Sequence, residues 1–242
     1  VPHYRSLFIS DIHLSFNGSN PDKVLRLLKD NSFDFIYLVG DIIDLWAMKS
    51  SPHWPEPANQ VIRRLLKLAH NGTKVVYLPG NHDDFLRTVS PIDFGNITII
   101  DRAIHVSAKG EKYLVIHGDQ FDSIVSKIKW LAVLGAWIYD LLLWINGPIN
   151  AVRRLLGISS HFSLAAALKK KTKAATSFIS SFETTLAMAA KAAGCNGVIC
   201  GHIHTPEHSV INGITYLNCG DMVESMSFII EDFHGNLAIQ RF

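Results

Sequence analysis

Cysteine is scarce in this 242-residue chain: Cys195, Cys200 and Cys219 are the three, with no Cys-x-x-Cys spacing. A small, odd number excludes a full disulfide framework and a zinc knuckle, and it suits a reducing compartment. Charge is also sparse, at 18% of residues and a net +2. The strong basic bias of a dedicated nucleic-acid binder is missing, so no nucleic-acid partner is expected. Neither a Walker loop nor a Gly-x-Gly-x-x-Gly segment occurs, so a phosphate would have to be held by metals and basic side chains. The opening stretch, Val1–Ser10, reads as a strand and not as a basic-then-apolar leader, so no secretory signal is expected in it. Nor is there an unbroken apolar run of the roughly 20 residues that a spanning helix needs.

Apolar residues are plentiful, at 48%, enough for a substantial core. The longest apolar run is Trp130 to Ile145. Lys129 precedes it, Asp140 interrupts it, and Gly147-Pro148 ends it, so a transmembrane span is not expected. Within it, Trp130, Leu134, Trp137, Leu141 and Trp144 recur at helical spacing and put three tryptophans on one stripe. Two readings stand: a helix buried on all sides, or one offering an apolar face to lipid or an acyl chain.

Along the first 120 residues strands and helices alternate. Strands are predicted at Tyr4–Ser10, Phe33–Val39 and Lys74–Leu78, and helices at Pro21–Lys29 and Ala58–His70, the latter closed by Asn71-Gly72. This order argues for an α/β fold whose sheet is parallel in its early part. Further strands are expected at Ile97–Ile100, Ile104–Ser107 and Tyr113–Ile116. From Phe121 to Ala193 the pattern is nearly all helix. Strands then return at Gly197–Cys200, and Asn212-Gly213 signals a hairpin between Ser209–Ile211 and Ile214–Leu217. Ser227–Glu231 and Leu237–Arg241 finish the sheet. The expected organisation is a core of residues 1–120 and 194–242 carrying a helical insertion over 121–193. The insertion holds nine basic residues against three acidic ones, +6, leaving −4 for the rest of a +2 chain. A basic, tryptophan-bearing block suits anionic lipid or phosphate, or is a solvated face.

Five short segments place metal-ligating residue types just after predicted strands. They are Asp11-Ile12-His13, Gly40-Asp41, Gly80-Asn81-His82-Asp83, His117-Gly118-Asp119 and Gly201-His202-Ile203-His204. Strand ends of an α/β sheet converge at one edge, where ligands bind. Any one segment alone means little; five in order point to a shared site. Two divalent cations roughly 3.5–4 Å apart need a shared carboxylate and mixed oxygen and imidazole ligands, and Asp41 is the natural bridge. Such a pair supplies hydroxide near neutral pH and clamps phosphoryl oxygens. With no thiolate nearby, Mn, Fe or Zn all fit.

Taken together, Asp-x-His, Gly-Asp-x-x-Asp (Gly40 to Asp44), Gly-Asn-His-Asp, a strand-terminal His and Gly-His-x-His resemble the calcineurin-like metallophosphoesterases. The resemblance implies a four-layer α/β/β/α sandwich with a helical cap insertion, and a dimetal site in which Mn is favoured. One metal would take Asp11, His13, Asp41 and His204, and the second Asp41, Asn81, His117 and His202. His82 and Asp83 would be the catalytic pair. His82 would position the phosphoryl group or protonate the leaving oxygen, while Asp83, with Asp44, would orient ligand imidazoles.

The helical block between His117 and Gly-His-x-His is similar to that of the UDP-2,3-diacylglucosamine pyrophosphohydrolases of lipid A synthesis. That narrower resemblance implies a cap receiving two acyl chains, a lipid-linked nucleotide substrate, and UMP and 2,3-diacylglucosamine 1-phosphate as products. It also implies a cytoplasmic enzyme, peripheral at the inner face of a Gram-negative inner membrane. Candidates for substrate contact are Arg153, Arg154, Lys169, Lys170, Lys171, Lys173, Trp130 and Trp137. The best-known members read Gly-Asn-Arg-Asp, whereas this chain keeps the His82 of the general pattern. Two alternatives remain: a hydrolase of soluble phosphodiesters or phosphomonoesters, and a non-enzymatic binding scaffold, which would be expected to lose ligands.

Overall fold

The structure is a computed structural model that describes residues 1–16, 18–50, 54–121 and 179–242. The chain divides into two compact units, residues 1–120 with 186–242, and residues 121–185. In the second unit the described residues are Phe121 and the helical stretch 179–185. The apolar run Trp130–Ile145 and residues 122–178 of the expected cap lie outside the described residues. Among the described residues, no helix is long and apolar enough to cross a membrane.

The first unit is built on two sheets. The larger has β1 (His3–Ile9), β2 (Ser32–Val39), β3 (Lys74–Leu78) and β5 (Ile97–Ile99) in parallel, with the two-residue β4 (Ile92–Asp93) antiparallel at one edge. On the other side of β1 lie β11 (Ser227–Glu231) and β12 (Leu237–Arg241), both antiparallel to their neighbours. The smaller sheet runs β6 (Ala103–Val106), β7 (Lys112–Val115), β8 (Gly197–Cys200), β10 (Ile214–Asn218) and β9 (Glu207–Ile211). Its β7, β8 and β10 are parallel. The β9–β10 hairpin turns on Asn212 and Gly213 at φ 51° and 80°, the left-handed pair that a two-residue hairpin favours.

Strand alternation decides what each face buries. In β1, Phe8 points between the sheets, where it meets Tyr37, Val39 and Leu78 of its own sheet and Tyr113, Val115, Ile199 and Leu217 of the other. Leu7 and Ile9 point the opposite way, into a core with Val24, Leu25 and Leu28 of α1 (Pro21–Asp30) and Val61, Leu65 and Leu68 of α3 (Glu56–His70). Each such side chain contributes about 1.5–3 kcal/mol by leaving water. Val198 and Tyr216, on the outer face of the smaller sheet, are also fully buried, as are Leu186, Ala187 and Ala190 of the helix over residues 179–192. Two sheets back to back, with helices outside them, make the four-layer α/β/β/α sandwich.

Four pieces among the described residues have no counterpart in the sequence reading: α2 (Leu45–Ser50), the 3-10 helices Asp84–Val89 and Asp119–Phe121, and β4. All are too short to display a period. Helix α2 starts where Asp44 Oδ1 accepts the Ala47 N–H at 2.7 Å, a local capping bond.

Candidate metal centre

The C-terminal ends of β1, β2, β3, β7 and β8 each release a loop on the same side of the sandwich, and these loops carry the five segments. The first two stay paired beyond their strands. Asp11 N–H donates to Gly40 O at 3.0 Å, His13 N–H to Asp41 O at 2.9 Å and Leu14 N–H to Ile42 O at 2.8 Å. Met222 N–H donates to Asp11 O at 3.1 Å from the far side. Backbone strain concentrates here. Asp11, His13, Asp41, His202 and His204 all sit at left-handed φ, between 51° and 72°. Each costs about 1–3 kcal/mol, and such residues cluster at functional sites.

Three sets of side chains bring ligand atoms within 4.8 Å of one another: Asp11, His13 and His204; Asp41, His117 and His202; and His13, Asp41 and His82. Asp11 Oδ1 lies 3.1 Å from His204 Nε2 and 3.9 Å from His13 Nε2, and Asp41 Oδ2 lies 3.4 Å from His117 Nε2. His117 Nδ1 is bonded to Val39 O at 2.8 Å, which leaves Nε2 to face the site. Gly80 permits the approach. A Cβ at that position would meet the Asp41 carboxylate and the His117 ring.

A cation fits the donor set. Asp11 Oδ1, His13 Nε2, Asn81 Oδ1 and His117 Nε2 are buried and have no hydrogen-bond partner among the described residues. His82 Nδ1 and Arg87 Nε share that state; the other four belong to residues that could hold a divalent ion, and leaving such atoms unpaired is costly. Their electrostatics agree. Burial alone would raise the Asp11 and Asp41 carboxyls, yet His204 beside the first and His117 beside the second hold both below the usual carboxylate range. Burial would lower the His117 imidazole, but Asp41 and Asp11 push it up to about 10. A divalent ion held there would take the place of that proton.

Asp44 serves two imidazoles at once. Its Oδ2 is bonded to His13 Nδ1 at 3.2 Å, and its Oδ1 lies 3.1 Å from His82 Nδ1. Burial raises its carboxyl, but the Ala47 N–H and His82 bring it below the usual range. Trp46 was not anticipated; its half-exposed indole lies over His82, with ring centroids 4.3 Å apart. Asp83 is fully buried and, among the described residues, is bonded to no imidazole. Its carboxylate accepts the Tyr77 hydroxyl at 2.5 Å and the N–H groups of Gly80 and Ile42 at 2.6 and 2.8 Å. Burial pushes this carboxyl up. Asp83 therefore shapes the turn that presents Asn81 and His82. Arg153, Arg154, Lys169, Lys170, Lys171, Lys173, Trp130 and Trp137 lie outside the described residues.

The sequence model of the Calcineurin-like phosphoesterase family matches residues 4–206. A UDP-2,3-diacylglucosamine hydrolase from Pseudomonas paraeruginosa is 26% identical over 222 residues, which is 84% of each chain. Another, from a Shewanella species, is 24% identical over 234 residues, 93% of this chain and 92% of its own. Among solved structures, an archaeal phosphodiesterase aligns over 98% of this chain and 99% of its own at 13% identity, with a TM-score of 0.47.

Proposed function

Because the chain belongs to the calcineurin-like phosphoesterases and is a phosphoester hydrolase dependent on divalent metal ions, we propose that it cleaves the diphosphate of UDP-2,3-diacylglucosamine. The products would be UMP and 2,3-diacylglucosamine 1-phosphate. The observation that carries the chemistry is the set of buried, unpartnered atoms on Asp11, His13, Asn81 and His117. Support for the substrate comes from relatives named for it, which match over most of this chain. The basic, tryptophan-bearing insertion over 121–193 adds to it.

One ion would be held by Asp11, His13, Asp41 and His204, and the other by Asp41, Asn81, His117 and His202, with Mn favoured over Fe or Zn. Bound there, two divalent ions supply Lewis-acid charge stabilisation and an activated water. The chain's own residues do the rest. Asp41 faces both pockets, its Oδ1 accepting the His82 N–H at 2.8 Å while its Oδ2 faces His117. Asp44 Oδ2 bonds His13 Nδ1 and its Oδ1 lies beside His82 Nδ1, so His82 would present Nε2 toward the phosphoryl group. A proton at His82 Nε2 passes to the leaving phosphate oxygen. Arg153, Arg154, Lys169, Lys170, Lys171 and Lys173 would be candidates for contact with the diphosphate or headgroup, and Trp130 and Trp137 for contact with the acyl chains. The enzyme would act in the cytoplasm, peripheral at the inner face of the inner membrane.

The test is UMP release from UDP-2,3-diacylglucosamine by Mn-loaded protein, with His117→Ala as control. Fast release that disappears in the variant is the expected result. Turnover of a generic phosphodiester without UMP release would retain the hydrolase and discard the lipid substrate.

A further inference from the structure

We propose that Arg87 is a positioning residue for the pocket of Asp41, Asn81, His117 and His202, a role that rests on the reading of that pocket as a metal site. Arg87 lies in the 3-10 helix that follows the Gly80–Asp83 turn. Its guanidinium meets Asp119 in a two-point fork, Nη1 donating to Oδ2 and Nη2 to Oδ1, each at 2.7 Å. Nη2 also donates to Pro79 O at 2.7 Å. Pro79 is the residue before the turn that presents Asn81. Asp119 is two residues beyond His117.

The guanidinium therefore joins the turn after β3, in the larger sheet, to the segment after β7, in the smaller one. Among the described residues, its hydrogen bonds are the ones that connect residues 79–89 to residues 116–119. Asn81 and His117 come from different sheets, and each has a buried side-chain atom without a hydrogen-bond partner among the described residues. Their spacing is not held by a common strand. A planar, rigid fork suits that task; a lysine ammonium, a point charge on a flexible stem, does not span the same three acceptors. The bonds are sheltered, the Arg87 and Asp119 side chains being 23% and 9% exposed. Among the described residues, no hydrogen bond or ion pair of Arg87 reaches Asp11, His13 or His204, so its effect is expected on one pocket of the two.

The experiment strips the full-length chain of metal and titrates in Mn²⁺, with calorimetry for affinity and electron paramagnetic resonance for nuclearity. The unmodified chain takes up two equivalents, the second converting a mononuclear six-line spectrum into an exchange-coupled one. In Arg87→Met the second equivalent is expected to bind about 10–100-fold more weakly, the range for loss of a partner that orients ligands. The first is expected to stay within about twofold. The six-line spectrum then persists at two equivalents. Arg87→Lys falls between the two and carries the test if the methionine variant does not fold. Equal weakening of both equivalents, or of neither, in a folded variant overturns the proposal, since a general loss of stability would not discriminate between pockets. Failure of the unmodified chain to bind a second Mn²⁺ would instead overturn the two-metal reading.

Discussion

Glu231 is fully buried, far along the chain from every candidate ligand, and it closes a network between the two sheets. Its carboxylate accepts from Arg5 Nη1 at 2.8 and 2.9 Å, Ser6 Oγ at 2.6 Å and Ala108 N–H at 2.8 Å, and it is bonded to His105 Nε2 at 2.8 Å. Arg5 and Ser6 belong to β1, and His105 to β6, so one carboxylate ties the larger sheet to the smaller. Burial would raise its pKa, but His105, Ser6 and the Ala108 N–H hold it at about 2, against an ordinary 4.5. At about 1.4 kcal/mol per pH unit, that depression is worth about 3 kcal/mol of folding stability. Its sign follows from linkage. The folded-state pKa is the lower one, so the contribution is complete above about pH 4.5 and is lost as the pH falls to about 2.

Glu231→Gln keeps the shape and removes the charge. At pH 7 the variant is expected to be less stable than the parent by about 3 kcal/mol or somewhat more, because Arg5 loses its partner. As the pH falls from 4.5 to 2, the two stabilities converge. Urea unfolding followed by circular dichroism, repeated across that range, reads the difference directly. A difference that stays constant with pH would refute the assignment of this stabilisation to the Glu231 charge.

Two further outcomes concern the site. Gly80→Ala drives a Cβ into the Asp41 carboxylate and the His117 ring. It is expected to lower stability by about 1–3 kcal/mol and to abolish uptake of the second metal equivalent; a normal melting temperature with two bound Mn²⁺ would contradict this. Asp44→Asn removes the charge that orients His13 and His82, and it is expected to reduce turnover of a generic phosphodiester about 10–100-fold. Unchanged steady-state turnover would show that the two imidazoles hold their orientation without it.

Much of this protein is legible in one dimension. The apolar alternation of Leu7, Phe8 and Ile9, and the helical spacing of Val24, Leu25 and Leu28, reveal two-sided strands covered by helices, because period and burial are local consequences of backbone geometry. Asn212-Gly213 marks its own hairpin through its tolerance of positive φ. The ligand types are readable too, since a site at strand ends writes its residues just after apolar runs. What the chain order cannot display is how separate loops meet. That one Asp44 carboxylate serves both His13 and His82 depends on two loops zipped beyond β1 and β2. Asp83, in the middle of a recognisable motif, turns inward to Tyr77 and backbone N–H groups; sequence assigns its neighbourhood but not its direction. Trp46 and Arg87 sit in elements of six residues each, too short to show a period. Their partners, His82 at residue 82 and Asp119 in another sheet's loop, lie far enough off in sequence that only the folded chain brings them together. The residue types that would hold the metals were set by sequence, whereas the angles at which they are held come from contacts between the two sheets.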